Sequence, residues 1–180
     1  MIILIYPVIP HTKVERLKWY AEHFPRMQQR YLIDIATNPG RSVIDLNERI
    51  IAVMAILEKG IDSAYEVRPL LDLLGNENDY PLTQGTTHEK ENNALLRGDT
   101  AIALAKYGVN TDEFKEILLN ILKSIIRDPV FIAKDTPTTY FMNFACAIYM
   151  ADKDSIINEL VMKAYTKQDE LDKYIRDNVK

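Results

Sequence analysis

The chain repeats itself, and this internal repeat constrains the fold more than any other feature of the sequence. Residues 49–60 read RIIAVMAILEKG, and residues 97–108 read RGDTAIALAKYG. The alignment continues beyond each glycine, where residues 61–74 (IDSAYEVRPLLDLL) fall on residues 109–122 (VNTDEFKEILLNIL). Self-similarity at a spacing of roughly 40–50 residues is typical of helical solenoids. The repeat therefore predicts stacked helical units.

Helix start and stop signals divide the chain into about eight helices. Polar capping residues precede apolar stripes of helical period, and Gly60, Gly75 and Gly108 stand where helices are expected to end. Pro69 conflicts with an uninterrupted fourth helix, so that helix is either kinked or begins its regular part at Pro69. The predicted helices are residues 12–24, 25–37, 42–59, 63–74, 86–107, 110–127, 136–150 and a last one from about residue 154.

The domain organisation is expected to be simple, because no linker or low-complexity tract interrupts the chain. Residues 1–180 are predicted to be one all-helical domain. Within it, residues 1–41 form an N-terminal capping hairpin, 42–165 the repeat core and 166–180 a charged helix end. The apolar start, MIILIYPVIP, is too short to span a bilayer. The single Cys146 cannot form an internal disulfide. We therefore expect no membrane contact and a cytoplasmic location.

The repeated segments resemble HEAT-like repeats, a family of α-solenoids. In that family a first helix ends in an LLxLL-like run and a polar turn, and a second helix carries an Arg, small residues, a Leu and a closing Gly. Here residues 67–79 (VRPLLDLLGNEND) look like the first helix and turn, and residues 49–60 and 97–108 look like the second helix. The resemblance implies an all-α fold of antiparallel helical hairpins stacked as a short HEAT-like α-solenoid. Residues 75–87 and Tyr140, which stands where the other copies have Arg, depart from the pattern.

A binding scaffold without enzymatic activity is the function that this resemblance implies. Its protein or peptide partner would lie on a concave surface lined by the second helices, at residues 43–59, 88–107 and 137–150. Arg49 and Arg97 could face that partner. Alternatively, they pair with acidic side chains or turn carbonyls of the neighbouring repeat and hold the stack in register. We favour this structural interpretation.

The N-terminal hairpin offers a second candidate surface. Residues 1–41 hold six Lys/Arg against three Asp/Glu, whereas the whole chain has a net charge of −4. The candidate binding residues are Lys18, Trp19, His23, Arg26, Arg30 and Tyr31. Such residue types dominate protein interfaces, and they also stack bases and hold phosphates. Nucleic-acid binding or base repair is therefore the alternative function, although the acidic net charge disfavours it. A solvated cap whose aromatic side chains complete the core is the third interpretation.

Motifs of enzymes and metal sites are not found in the sequence. HEAT-like deoxyhypusine hydroxylases bind two irons through several His-Glu dipeptides, and this chain has one, His88-Glu89, and three histidines in all. Glycine-rich phosphate loops, zinc-protease motifs and nucleophile elbows are also missing. We expect no cofactor and no metal. Self-association through stacked end repeats stays open as a further partner class.

Overall fold

The computed structural model describes residues 19, 22–23, 28–38, 45–133 and 136–151, with the backbone alone at 136–137. These residues are mostly helical, which confirms the predicted all-α class. The helices are α1 (Gln29–Thr37), α2 (Leu46–Lys59), α3 (Val67–Gly75), α4 (Thr87–Tyr107), α5 (Asp112–Ile125) and α6 (Thr139–Ala151). Most of the predicted first helix, the apolar start, the whole predicted eighth helix and the charged end at 166–180 lie outside the described residues.

The described helices pack in pairs and in two layers. Each odd-numbered helix packs against the even-numbered helix that follows it, which gives the pairs α1–α2, α3–α4 and α5–α6. The even-numbered helices also contact one another in the order α2–α4–α6, and the odd-numbered helices do so in the order α1–α3–α5. Helix α4 therefore lies at the centre, in contact with α2, α3 and α6.

Capping boxes begin the two long helices of the even layer. The Thr86 hydroxyl accepts a hydrogen bond from the Glu89 amide, and the Glu89 carboxylate accepts one from the Thr86 amide, as the sequence predicts. Helix α2 begins later than expected from Ser42. Its N-cap is Asp45, whose carboxylate accepts from the Glu48 amide at 3.1 Å, and Glu48 closes the box. Because a capping box satisfies two backbone N–H donors, it fixes the start of α2 at Asp45.

Pro69 lies within the first turn of α3 and does not begin the helix. A short 3-10 turn at Ala64–Glu66, capped by Ser63, leads into α3, which begins at Val67. Pro69 is thus the third residue of the helix. The amide of a first-turn residue has no intrahelical acceptor, so proline at this position costs the helix no hydrogen bond.

A short strand pair precedes α6, where the sequence predicts a helix start at Thr136. Ile132–Ala133 pairs antiparallel with Thr136–Pro137. The Thr138 amide donates to the Phe131 carbonyl at 2.8 Å, and its hydroxyl donates to the Val130 carbonyl at 3.1 Å. These bonds hold residues 136–138 outside the helix, which begins at Thr139.

The apolar core extends through all six helices. Helix α6 is buried along residues 141–148 on every face, so it is the most apolar element of the described chain. Cys146 lies within it, and burial raises the pKa of its thiol to about 12, so the thiol stays protonated as a small apolar group. None of the described helices combines the length and the apolar character needed to cross a membrane.

Candidate binding surface

Arg97 lies inside the protein rather than on a ligand-facing surface. Its side chain is 2% exposed. The Nε donates to the Leu74 carbonyl at 2.8 Å, and Nη1 donates to the Tyr80 carbonyl at 2.9 Å and to the Glu77 carboxylate. Because the last carbonyls of a helix have no intrahelical donor, Arg97 satisfies the end of α3 and the turn that follows it.

Arg49 has the same role one helix pair earlier. It is also buried, and Nη1 donates to the carbonyls of Ile35 at 3.1 Å and Ala36 at 3.0 Å. Its Nη2 donates to the Asn38 carbonyl at 2.7 Å, just beyond the end of α1. Each arginine therefore joins the two helices of its own pair, not the neighbouring repeat, and neither guanidinium is available to a partner.

The Arg97–Glu77 ion pair shows how the buried charge is stabilised. Burial lowers the pKa of Arg97, and the hydrogen bond and charge of Glu77 oppose that shift. Partial burial acts to raise the pKa of Glu77, but hydrogen bonds from Arg97 and from the Leu82 amide outweigh it, and the pKa is lowered overall. Both groups are therefore ionised near neutral pH, with the carboxylate at the water-facing end of the pair.

The N-terminal candidate residues are only partly described. Lys18 and Arg26 lie outside the described residues. Trp19 and His23 come together: their rings stack with centroids 4.3 Å apart and planes 10° apart, and His23 Nδ1 lies 2.7 Å from the Trp19 carbonyl oxygen. Trp19 packs partly buried against the core. Arg30 is exposed and Tyr31 is half-buried on α1, and no described contact joins either of them to the stacked rings.

A different surface is formed by the sides of α2 and α4 that face away from the odd-numbered helices. Residues spaced three or four apart share one face of a helix. Because Arg49 and Arg97 both point towards the odd layer, the opposite sides of α2 and α4 lie together on the same side of the protein. We call this surface the α2–α4 face. Its residues are Asn47, Ile51, Met54 and Glu58 on α2, and His88, Asn92, Leu95, Asp99, Ile102 and Lys106 on α4, all half-buried or exposed.

Asp99 is the central charged group of the α2–α4 face. Leu95 and Ile102 flank it at four and three residues' distance along the same side of α4. Its Oδ1 accepts a hydrogen bond from Asn143 Nδ2 at 3.2 Å, across the contact with α6. Burial raises the pKa of Asp99 to about 6. The carboxylate is therefore mostly ionised at neutral pH in a poorly hydrated position.

Gly98 allows α6 to come close enough for that hydrogen bond. A Cβ atom at Gly98 would lie 3.1 Å from the Asn143 Cβ and 3.3 Å from its Nδ2. Both distances are shorter than ordinary van der Waals contact. These three consecutive residues of α4 thus have separate roles. Arg97 binds the end of α3, Gly98 leaves room for α6, and Asp99 accepts a hydrogen bond from Asn143.

The sequence pointed to the helices of the α2–α4 face, because residues 43–59 and 88–107 were expected to line the partner surface. It missed Asp99, although one signal was present. The repeat alignment places Asp99 on Ile51, so one copy carries an acidic residue where the other is apolar. Leu95 and Ile102 add apolar residues at helical spacing on either side of it. An ionisable residue within such an apolar stripe is the pattern that could have indicated a site.

A cavity of about 320 Å³ lies between α1 and the end of α3. It is lined by Thr37, Pro69, Asp72, Leu73, Asn76, Asp79 and Tyr80. Asp72 pairs with Arg68, and Asp79 bonds to Asn76, so these polar groups bind each other rather than converging on the space. No cluster of three His, Cys, Asp or Glu suited to a metal ion occurs among the residues with described positions.

Comparison with known proteins identifies no relative: no family model, curated protein or solved structure matches the chain. The resemblance to HEAT-like repeats therefore stays a prediction from the sequence.

Proposed function

We propose that the chain is a non-enzymatic scaffold, built as a short HEAT-like α-solenoid, that binds a protein or peptide. The packing of the described helices in three successive pairs and two layers supports this architecture. The two arginine contacts support it further. Arg49 and Arg97 hold equivalent positions in the sequence repeat, and each binds the carbonyl end of the helix that precedes it in its pair. The repeat in sequence thus corresponds to a repeated contact.

The observation that carries the binding function is the group of apolar side chains on the α2–α4 face. Met54 is 54% exposed, and Ile51, Leu95 and Ile102 are half-buried beside it on the two packed helices. Apolar side chains on adjoining helices form a surface that gains free energy when a partner removes it from water. The helices that hold these side chains are already ordered, so binding would require little loss of conformational freedom.

The proposal is tested by affinity capture from extract of the source cells, with the full chain as bait, in parallel runs with and without nuclease. The variant Met54→Gln/Ile102→Gln makes the α2–α4 face polar without adding charge. Tyr65→Gln is the matched control, because Tyr65 is 93% exposed and lies in the 3-10 turn before α3, away from that face. Circular dichroism melting checks that all three baits are folded. If the double variant melts early, Met54→Gln alone replaces it, since that side chain is more than half exposed.

We expect one or more proteins to be captured by the wild type and by Tyr65→Gln but lost with the variant of the α2–α4 face. Equal capture by all three baits would show that this face is not the binding surface. Capture that disappears with nuclease would instead favour the nucleic-acid alternative and the basic N-terminal residues.

A further inference from the structure

The centre of the α2–α4 face carries a negative charge, Asp99, that none of the described residues neutralises. Asn143 donates one hydrogen bond to Asp99, but it carries no charge. In the part of the chain that the structure describes, no lysine, arginine or histidine forms an ion pair with Asp99. Its position is poorly hydrated, and ionising a carboxylate there costs free energy. A cation supplied from outside would offset that cost.

The surroundings of Asp99 restrict which cation would fit. One carboxylate does not hold a metal ion, which needs three or four convergent ligands. Leu95 and Ile102 flank the carboxylate with apolar surface, and Met54 extends that surface onto α2. The methylene stems of lysine and arginine pack on apolar surface while their charged ends reach a carboxylate. A phosphate-rich polymer would be repelled by the same charge.

We propose that the α2–α4 face binds a peptide segment of a partner protein through a lysine or arginine side chain that pairs with Asp99, with apolar residues of the segment against Met54, Leu95 and Ile102. This inference rests on the proposed scaffold function and names the chemistry of its partner. Asn143 is a positioning residue in this arrangement: its hydrogen bond to Oδ1 holds the carboxylate and leaves Oδ2 for the incoming cation.

The test begins with a phage-displayed library of random peptides selected on the full-length chain. Enriched peptides are then synthesised, and their dissociation constants are measured by fluorescence anisotropy. Each peptide is compared with a version in which its basic residue is replaced by methionine. The protein variants are Asp99→Asn, which keeps the acceptor for Asn143 but removes the charge, and Glu116→Gln, which removes an exposed charge on α5, in the odd layer.

We expect the enriched peptides to share a lysine or arginine with apolar neighbours. Replacing that residue by methionine should weaken binding to the wild type and to Glu116→Gln by about tenfold, as for loss of a charge-assisted hydrogen bond. With Asp99→Asn the same replacement should change binding by less than about twofold, since the two partners are coupled only if they touch.

Equal loss in the wild type and in Asp99→Asn would overturn the proposal, and so would selection that enriches no peptide. Enriched peptides without a basic residue would also overturn it. If those peptides bind the wild type but not Met54→Gln/Ile102→Gln, the proposed scaffold function of this face stands. Only the proposed pairing of a basic residue with Asp99 is then wrong. The two proposals can therefore fail separately.

Discussion

Replacing Arg97 by methionine is the sharpest test of how the helix pairs are held together. Methionine keeps an unbranched apolar stem, although it is shorter than arginine, and it removes every donor and the charge. The Leu74 carbonyl at the end of α3 and the Tyr80 carbonyl in the following turn would each lose a hydrogen bond. The Glu77 carboxylate would lose its ion-pair partner.

The expected cost comes mainly from the two carbonyls. A buried polar group left without a partner costs about 1–3 kcal/mol. The Glu77 side chain is 46% exposed and can be hydrated instead, so the loss of its ion pair with Arg97 adds little to the cost. The free energy needed to bury the guanidinium disappears with the charge and offsets part of the total. We expect the variant to lose about 3 kcal/mol, a large share of the roughly 5–15 kcal/mol that stabilises a domain.

Urea unfolding followed by circular dichroism measures this loss directly. With a slope of about 2 kcal/mol per molar urea, 3 kcal/mol moves the midpoint down by about 1.5 M. Arg68→Met is the matched control. Arg68 also bridges two acidic residues, Asp72 and Glu113, but it is 65% exposed. Water replaces the lost contacts of Arg68, so the urea midpoint of Arg68→Met should equal that of the wild type.

Equal midpoints for the Arg97 and Arg68 variants would refute the reasoning, because the two arginines differ mainly in burial. A reduced slope for Arg97→Met would also count against it. That result would mean that the folded state had loosened, and the loss of two specific hydrogen bonds would no longer account for the change.

Three further predictions concern the even layer. Gly98→Ala should destabilise the fold by about 1–3 kcal/mol in urea unfolding, because the added methyl group meets the Cβ and Nδ2 atoms of Asn143. Asp99→Asn should stabilise the fold by up to about 3 kcal/mol at neutral pH and change little near pH 4. The sign follows because the pKa of Asp99 in the folded state, about 6, lies above its ordinary 3.8, so ionisation destabilises the folded state as the pH rises. Thermal melting of the wild type and Asp99→Asn at both pH values measures this difference. Asp45→Ala should cost about 1 kcal/mol by removing the capping box of α2, a loss that thermal melting detects.

Local features of the fold could be predicted from sequence because short-range contacts determine them. The capping box at Thr86 and Glu89 and the positive φ of 93° at Gly108 involve residues within one helical turn, and both mark the ends of α4 as predicted. The strand pair before α6 could not be predicted. Its two-residue strands carry no periodic signal, and their formation depends on Thr138 bonding to Phe131 across a turn.

The candidate site could be predicted less well, because its character depends on contacts distant in sequence. Nothing near Asp99 in the chain indicates that Asn143 on another helix lies against it. The sequence does place Arg49 and Arg97 in equivalent positions, but equivalence alone does not decide between an outward and an inward side chain. Both side chains point inward because helix packing brings the carbonyl groups at the ends of α1 and α3 within hydrogen-bond distance.

The inward arginines also have a consequence for the order of folding. Arg49 binds carbonyls 11 to 14 residues back in the chain, and Arg97 binds a carbonyl 17 residues back and another 23 residues back. Closing such short loops costs little chain entropy. The Asp99–Asn143 bond spans 44 residues and needs α6 in place. We therefore expect the α1–α2 and α3–α4 pairs to form first, each closed by its own arginine, and the acidic centre of the α2–α4 face to be completed only when α6 docks.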